Sequence, residues 1–272
     1  MPLNLTKQEL NTFTTDGVIV LHWRIKEDHI RLLLEQLSTL AGRVDTVALE
    51  SDGRTLRALH GGYEDNPILN RITQLDALLA PAEQILHDPV YVYQLKINLK
   101  AAFAGDVWPW HQDFSFWAKE DEMPSPRALT AAIFLDDVTE FNGPMFFIPG
   151  SHRSGCHDAQ DRPSNRDSGD AWRRHVGVAL SYQTDKAKVM DLTAEHGLLA
   201  PKGPRGTIMF FDCNIVHASP ANISPMNRRM LFITYNSVNN LPTRLQRPSF
   251  LVNRDFRPLT SVEVPDIIEL AT

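Results

Sequence analysis

Near residue 90 the apolar positions of this chain change period. Before that point they recur at helical spacing: Ile30, Leu33, Leu34, Leu37 and Leu40 mark one face of an amphipathic helix that stops at Gly42. Thr6-Lys-Gln-Glu9 is a capping box opening a shorter helix with Leu10 and Phe13 on its apolar side, and Gly17 supplies the stop. Val18 to Leu21 then reads as a strand. Asp52-Gly is a turn into an extended piece, Thr55 to His60, carrying Arg57 and His60. Asn66-Pro67 caps a third helix, and Pro81 is expected to start a fourth.

Beyond residue 90 the period is two. In Tyr91 to Lys100, the residues Tyr91, Tyr93, Leu95, Ile97 and Leu99 share one face, and Gln94, Lys96 and Asn98 share the other. That polar face is either solvated or turned inward in a barrel that holds a polar ligand. Leu129 to Leu135, Pro144 to Ile148, Thr207 to Phe211 and Met230 to Tyr235 read as further strands. The expected fold is mainly β with flanking α-helices, around an antiparallel double-stranded β-helix (jelly-roll, cupin-like) core. With no linker in sight, residues 1–272 read as one domain, in which the polar stretch 151–184 is a loop or mobile lid.

Composition narrows the function classes. A formal net charge of -6, with basic residues scattered among carboxylates, leaves no footprint for nucleic acid or an anionic membrane. No run is long and apolar enough for a membrane span, and no leader precedes the first helix, so a soluble cytoplasmic protein acting on a small molecule is expected. The residues leave oligomeric state open. Cys156 and Cys213 make neither a disulfide framework nor a zinc-finger spacing, and Cys213 reads as a small buried hydrophobe.

Candidate chemistry centres on Trp108-Pro-Trp-His-Gln-Asp-Phe-Ser-Phe-Trp117. On an extended backbone His111 and Asp113 point to one face, as a hydrogen-bonded pair or as two ligands of a metal. His217, behind another apolar run, could complete a set of two histidines and one carboxylate with open coordination positions. Arg228, about one strand further on, is placed to grip a carboxylate; Arg228 and Arg229 point in opposite directions, so one of them enters the pocket. Trp108, Trp110, Phe114, Phe116 and Trp117 supply an aromatic wall, part of which must be plain core.

Gln94-Leu-Lys-Ile-Asn-Leu-Lys, Gly105-Asp-Val-Trp-Pro-Trp-His-Gln-Asp, Phe141-Asn-Gly-Pro, Ile148-Pro-Gly-Ser-His152 and Asn222-Ile-Ser-Pro-x-x-Arg228, in this order, resemble the phytanoyl-CoA dioxygenase superfamily of Fe(II)/2-oxoglutarate oxygenases. Within it the bacterial amino-acid hydroxylases that act on proline, leucine and ectoine are most similar. The resemblance implies Fe(II) held by His111, Asp113 and His217, with 2-oxoglutarate and O2 as co-substrates. It places the far carboxylate of 2-oxoglutarate on Arg228, not Arg229, and Asn98 and Ser219 along the co-substrate. Gln94 and Trp117 fall on substrate-contacting positions, Trp117 having a core role as its alternative. Asp113 sets the chain apart from related halogenases, in which a small residue stands there. One departure is Ala132, where the ectoine enzymes carry a serine.

The expected reaction is hydroxylation of a free amino acid, with L-proline to trans-4-hydroxy-L-proline leading and leucine, pipecolate or a carrier-tethered aminoacyl group as alternatives. Arg57, His60 and Arg247 are candidates for gripping the substrate, and each is equally readable as a surface or structural residue. A ligand-binding barrel without activity, or a zinc hydrolase on the same three ligands, is disfavoured by the retained set and by the lack of a suitably spaced general base.

Overall fold

The computed structural model describes residues 3–42, 46–157, 160–161, 180–264 and 268–270. In chain order the elements are α1 (Lys7–Asp16), β1 (Val18–Ile25), α2 (Glu27–Ala41), β2 (Val47–Leu49), β3 (Leu56–His60), α3 (Pro67–Thr73), α4 (Asp76–Leu86), β4 (Val90–Lys100), β5 (Trp108–His111) and α5 (Asp113–Glu120). They continue with β6 (Ala128–Phe134), β7 (Phe146–Phe147), β8 (Gln160–Asp161), β9 (Tyr182–Gln183), α6 (Lys186–His196), β10 (Thr207–Asp212), β11 (His217–Ser219), β12 (Arg228–Ser237) and β13 (Ile268–Leu270). Most of the polar stretch 151–184, expected to be a loop or lid, lies outside the described residues. No helix among the described residues is long and apolar enough to cross a membrane.

Eight strands form one sheet in the order β13-β1-β10-β6-β12-β4-β3-β2, and β5-β11-β7 form a small second sheet. The named pairings in both are antiparallel. One face of the large sheet packs on the N-terminal helices through Leu95, Ile97, Leu231 and Ile233 with Leu33, Leu69 and Leu78. The other face meets the small sheet through Phe134, Phe147, Phe211 and Phe232. This is the jelly-roll core expected from the sequence, with the candidate site between the two sheets.

Local signals mostly hold. Thr6 and Glu9 cap α1 reciprocally, and Gly17 ends it at φ 76°, a left-handed conformation that favours glycine. Asn66 accepts from the backbone of Ile68 and Leu69 with Pro67 in the first turn of α3. The expectation at Pro81 does not hold: α4 begins at Asp76, and Pro81 lies inside it. The proline forfeits one intrahelical hydrogen bond. Burial of Leu78, Leu79 and Ala82 in the core offsets that loss.

Two bulges redirect side chains. In β4, Val92 pairs with Tyr235 and Gln94 with Thr234, so Tyr93 is an extra residue and the alternation shifts there. Val90 and Val92 therefore join Leu95, Ile97 and Leu99 on the helix-facing side, whereas Tyr91 and Tyr93 pack with Trp117 and Leu251 on the other. This corrects the single apolar face read from strict alternation. In β5, His111 pairs with His217 but Trp108 with Ser219, three residues against two. The irregularity turns Trp108 inward with His111, while Trp110 packs outward against Val189 and Leu192 of α6.

Candidate active site

His111 ends β5 and His217 begins β11, directly opposite each other in the small sheet, with ring centroids 4.2 Å apart. Asp113 was expected to continue the extended backbone. Instead Gln112 is the last extended residue and Asp113 opens α5, so the carboxylate meets the imidazoles across a strand-to-helix junction. The first turn of a helix also favours a negative charge. One donor atom from each of His111, Asp113 and His217 falls within 4.8 Å of the others, all three residues buried.

The tautomers are set by backbone carbonyls. His111 Nδ1 lies 2.6 Å from Pro109 O and His217 Nδ1 lies 3.0 Å from Ile215 O. A carbonyl only accepts, so each Nδ1 carries the proton and each Nε2 presents a lone pair. Burial, helped by repulsion from His217, pushes the His111 imidazole down to about 3. Burial also lowers His217, against the pull of Asp113 and the Ile215 carbonyl. Burial alone would raise Asp113, but Lys96 and the two imidazoles outweigh it and hold the carboxyl below its ordinary value. Two neutral imidazoles and an ionised carboxylate are the donor set a divalent iron needs.

Two cavities meet at this triad. The first is lined by Asn98, Met145, Ser219, Arg228 and Phe232 among others. Arg228 is 1% exposed. Its Nε and Nη2 donate to Gly143 O at 3.1 and 2.9 Å, and Nη2 also to Ser219 Oγ at 3.3 Å. Among the described residues none of its partners is a carboxylate, and burial pushes it down to about 10. Gly143 is obligatory here: at φ +73° a Cβ would sit 2.6 Å from Lys100 Cδ. Asn98 Oδ1 is buried without a hydrogen-bond partner. An unneutralised guanidinium and an orphaned amide atom facing one small cavity fit an anionic ligand.

The second cavity is lined by His60, Gln94, Phe116, Trp117, Arg247 and Leu251 among others. Here the arginine is neutralised: Arg247 donates from Nε and Nη2 to both oxygens of Asp121, at 2.8 and 2.5 Å. Tyr93 Oη also bonds Asp121 and lies 3.3 Å from Arg247 Nη2. Gln94 Nε2 donates to Leu251 O at 3.1 Å. Burial, with Lys96 and Arg247 adding repulsion, pushes His60 down to about 3, so it enters this wall as a neutral ring.

The structure thus brings together His111, Asp113, His217, Arg228, Asn98 and Ser219, and on the second side Gln94, Trp117, His60 and Arg247. Arg57 is not where a substrate grip would need it. Its Nη1 meets Glu50 Oε2 at 2.6 Å, Nη2 donates to Val107 O, and the guanidinium lies 3.9 Å over the Trp108 ring. It braces Trp108, which lines both cavities. Arg229 turns to the other face and pairs with Asp136. Phe114 is core, packed in the cluster with Trp117 and Cys213. Ala132 is buried among Phe211, Met230 and Phe232. Cys213 is buried and Cys156 exposed, both free.

Lys96 was missed as a site residue. It lines both cavities, with Nζ 3.9 Å from Asp113 Oδ1. The signal was its place between Gln94 and Asn98 on the inward face of β4.

A family profile described as phytanoyl-CoA dioxygenase (PhyH) matches residues 24–230. L-proline trans-4-hydroxylase of Streptomyces griseoviridis is 41% identical over 249 residues, 91% of this chain and 92% of that protein. Ectoine dioxygenase of Sphingopyxis alaskensis is 32% identical over 249 residues, 90% of this chain and 79% of that protein. The crystal structure of EctD from S. alaskensis with 2-oxoglutarate and 5-hydroxyectoine superposes with a TM-score of 0.81 at 30% identity, covering 97% of this chain and 89% of that one. EctD with bound Fe superposes with a TM-score of 0.80 over the same shares. This chain belongs to the phytanoyl-CoA dioxygenase family, whose related members here use iron and 2-oxoglutarate.

Proposed function

We propose that the protein hydroxylates a free amino acid with Fe(II), 2-oxoglutarate and O2, and that the substrate is L-proline, giving trans-4-hydroxy-L-proline, succinate and CO2. The observation that carries the reading is the meeting of two unlike cavities at one His-Asp-His triad. His111 Nε2, His217 Nε2 and the Asp113 carboxylate are the metal ligands. Bound iron, with 2-oxoglutarate and O2, supplies the oxidising power for an unactivated C–H bond. Arg228 receives the far carboxylate of 2-oxoglutarate, aided by Asn98 and Ser219. Met145, Phe211 and Phe232 wall that cavity with apolar surface and keep water from the co-substrate.

On the second side Trp117 and Phe116 flank the substrate ring, and Gln94 and Arg247 face its polar groups. Nε and Nη2 of Arg247 are taken by Asp121 and Tyr93, whereas Nη1 makes no hydrogen bond among the described residues and is the edge offered to the substrate carboxylate. Orientation by these groups selects one C–H bond for presentation to the metal. The likeness to L-proline trans-4-hydroxylase over nearly the full length of both chains supports proline. Ectoine is the second reading, favoured by the likeness to ectoine dioxygenases.

The test is succinate and hydroxylated product from anaerobically iron-loaded protein given 2-oxoglutarate, O2 and, separately, proline, ectoine, leucine and pipecolate. Proline-dependent succinate matched by 4-hydroxyproline is expected. Ectoine-dependent turnover without any proline turnover would replace the substrate, and no substrate-dependent succinate from the panel would sink the amino-acid reading.

A further inference from the structure

Between His111 and Asp113 stands Gln112, 1% exposed, at the N-cap position of α5. It makes no side-chain cap bond there. Its amide points away from the two ligand side chains and is fully used elsewhere. Nε2 lies 2.6 Å from Asn214 O, 3.1 Å from Asn214 Oδ1 and 3.0 Å from Gly155 O, and Oε1 accepts from His157 N at 2.8 Å.

Asn214, 2% exposed, is three residues before His217 in the turn between β10 and β11. Its Nδ2 donates to His152 O at 3.0 Å, and its backbone N–H to Asp212 Oδ1 at 2.7 Å. Around this pair the backbones interlock: Phe114 N donates to Cys213 O at 2.9 Å, and Val216 N to Ser151 Oγ at 2.9 Å. Two amide side chains therefore join three segments: 111–113 with two ligands, 213–217 with the third, and 151–157, which carries none.

We propose that Gln112 and Asn214 are paired positioning residues that hold the two ligand-bearing segments at a fixed mutual orientation and tie that orientation to residues 151–157. The inference rests on the reading of His111, Asp113 and His217 as the metal site. The physical ground is that a ligand triad drawn from two separate segments keeps its geometry only if something other than the metal fixes their spacing. The β5–β11 pairing fixes His111 to His217. It does not fix Asp113, which lies past the strand end in α5. Gln112 connects the start of α5 to the His217 segment through side-chain bonds, and its two bonds to Asn214 are buried. Truncating Gln112 leaves the buried Asn214 carbonyl without its donor, and truncating Asn214 removes both its Oδ1 acceptor and its bond to His152 O, so either change loosens the junction.

The probe is Co(II), titrated into the full-length metal-free protein, with binding and the visible ligand-field spectrum recorded alongside thermal unfolding. Gln112→Ala and Asn214→Ala are each expected to weaken Co(II) binding by roughly tenfold to a hundredfold, the range for residues that orient metal ligands, and to shift the spectrum. The double variant is expected to bind little more weakly than either single one, because both act through one connection. Gln112→Glu, which keeps the side-chain volume but loses the donors, should move affinity and spectrum in the same direction and covers the case of an unfolded alanine variant. Leu78→Ala, a destabilising core change in α4, should lower the unfolding temperature with parent-like Co(II) affinity and spectrum. If the Gln112 and Asn214 variants lose only thermal stability, with parent affinity and spectrum, the proposal is overturned. Asp113→Ala separates this from the metal reading: parent-like Co(II) binding by that variant would sink the site itself.

Discussion

Each cavity has an arginine in its wall, and the two are solvated by the protein in opposite ways. Arg247 has its own carboxylate, Asp121, and a tyrosine hydroxyl bonded to the same group. Arg228 is the more deeply buried of the two and, among the described residues, has only a carbonyl, a serine hydroxyl and a thioether as hydrogen-bond partners. Desolvating a cation without a counterion is costly, so the Arg228 side is a site left incomplete until an anion arrives. The Arg247 side has its charge matched already, which under the proposed function leaves shape and one remaining N–H edge to discriminate among substrates. This contrast is why the proposed function puts the charged, common co-substrate in the first cavity and the variable substrate in the second.

The contrast breaks most visibly at Arg228. Arg228→Met should raise the KM for 2-oxoglutarate by at least about 100-fold, the loss of two charge-assisted hydrogen bonds at roughly 1.5 kcal/mol each. Initial rates of succinate formation check it, and an unchanged KM would remove Arg228 from the co-substrate. The same substitution should leave the ligand-free protein as stable as the parent or more so, because it deletes a buried unpaired charge; urea unfolding reads this. Asp121→Ala should behave in the opposite way. It strands Arg247 and should cost about 3 kcal/mol of stability, with the KM for 2-oxoglutarate unmoved.

A smaller shift sharpens the same distinction. Saturating 2-oxoglutarate with an inert divalent metal at 100 times the dissociation constant should stabilise the parent by about 2.7 kcal/mol. It should leave Arg228→Met nearly unmoved in a thermal scan.

Smallest is the pH response of the metal-free protein. His60 and His111 sit at about 3 when folded, against an ordinary 6.5. Between those values the unfolded chain binds more protons, so stability is full above about 6.5 and is lost as pH falls towards 3. Asp212 works the other way, because burial raises it to about 6. Its contribution is present below its unfolded value of 3.8 and lost as pH rises through 6. Asp212→Asn should therefore stabilise by roughly 1 kcal/mol at pH 8, about 3 °C, and by less at pH 5. A larger gain at pH 5 than at pH 8 would contradict the sign.

What could be read from the chain was what local chemistry determines. The Thr6 capping box, the Asn66-Pro67 cap and the strands around Ile133, Phe210 and Ile233 need only neighbours a few residues away. The His111, Asp113 and His217 set followed from the spacing and the family resemblance; strand alternation said that one of Arg228 and Arg229 turns inward, and the resemblance chose Arg228. What escaped depended on partners distant in sequence or on departures from periodicity. Arg57 looked available because Glu50 faces it only once the β2–β3 hairpin has closed. Lys96 lay on a face that could be solvated or inward, and its place in the site depends on Asp113, far along the chain at the start of α5. Pro81 gave a helix-start signal that core packing overrode.

The extra residue at Tyr93 acts as a phase switch in β4. Upstream of it the even-numbered residues face the helices, and downstream the odd-numbered ones do, so a single strand supplies two differently polar surfaces to the substrate side. Deleting Tyr93 would leave Val92 and Gln94 adjacent opposite Tyr235 and Thr234, in plain alternation, with Val90 and Tyr91 on the faces they hold now. What would go is the ring that packs with Trp117 and the hydroxyl that bonds Asp121 and Arg247. The inserted residue is therefore dispensable to the strand, and its use is to place one more aromatic hydroxyl on the side of the Arg247 cavity.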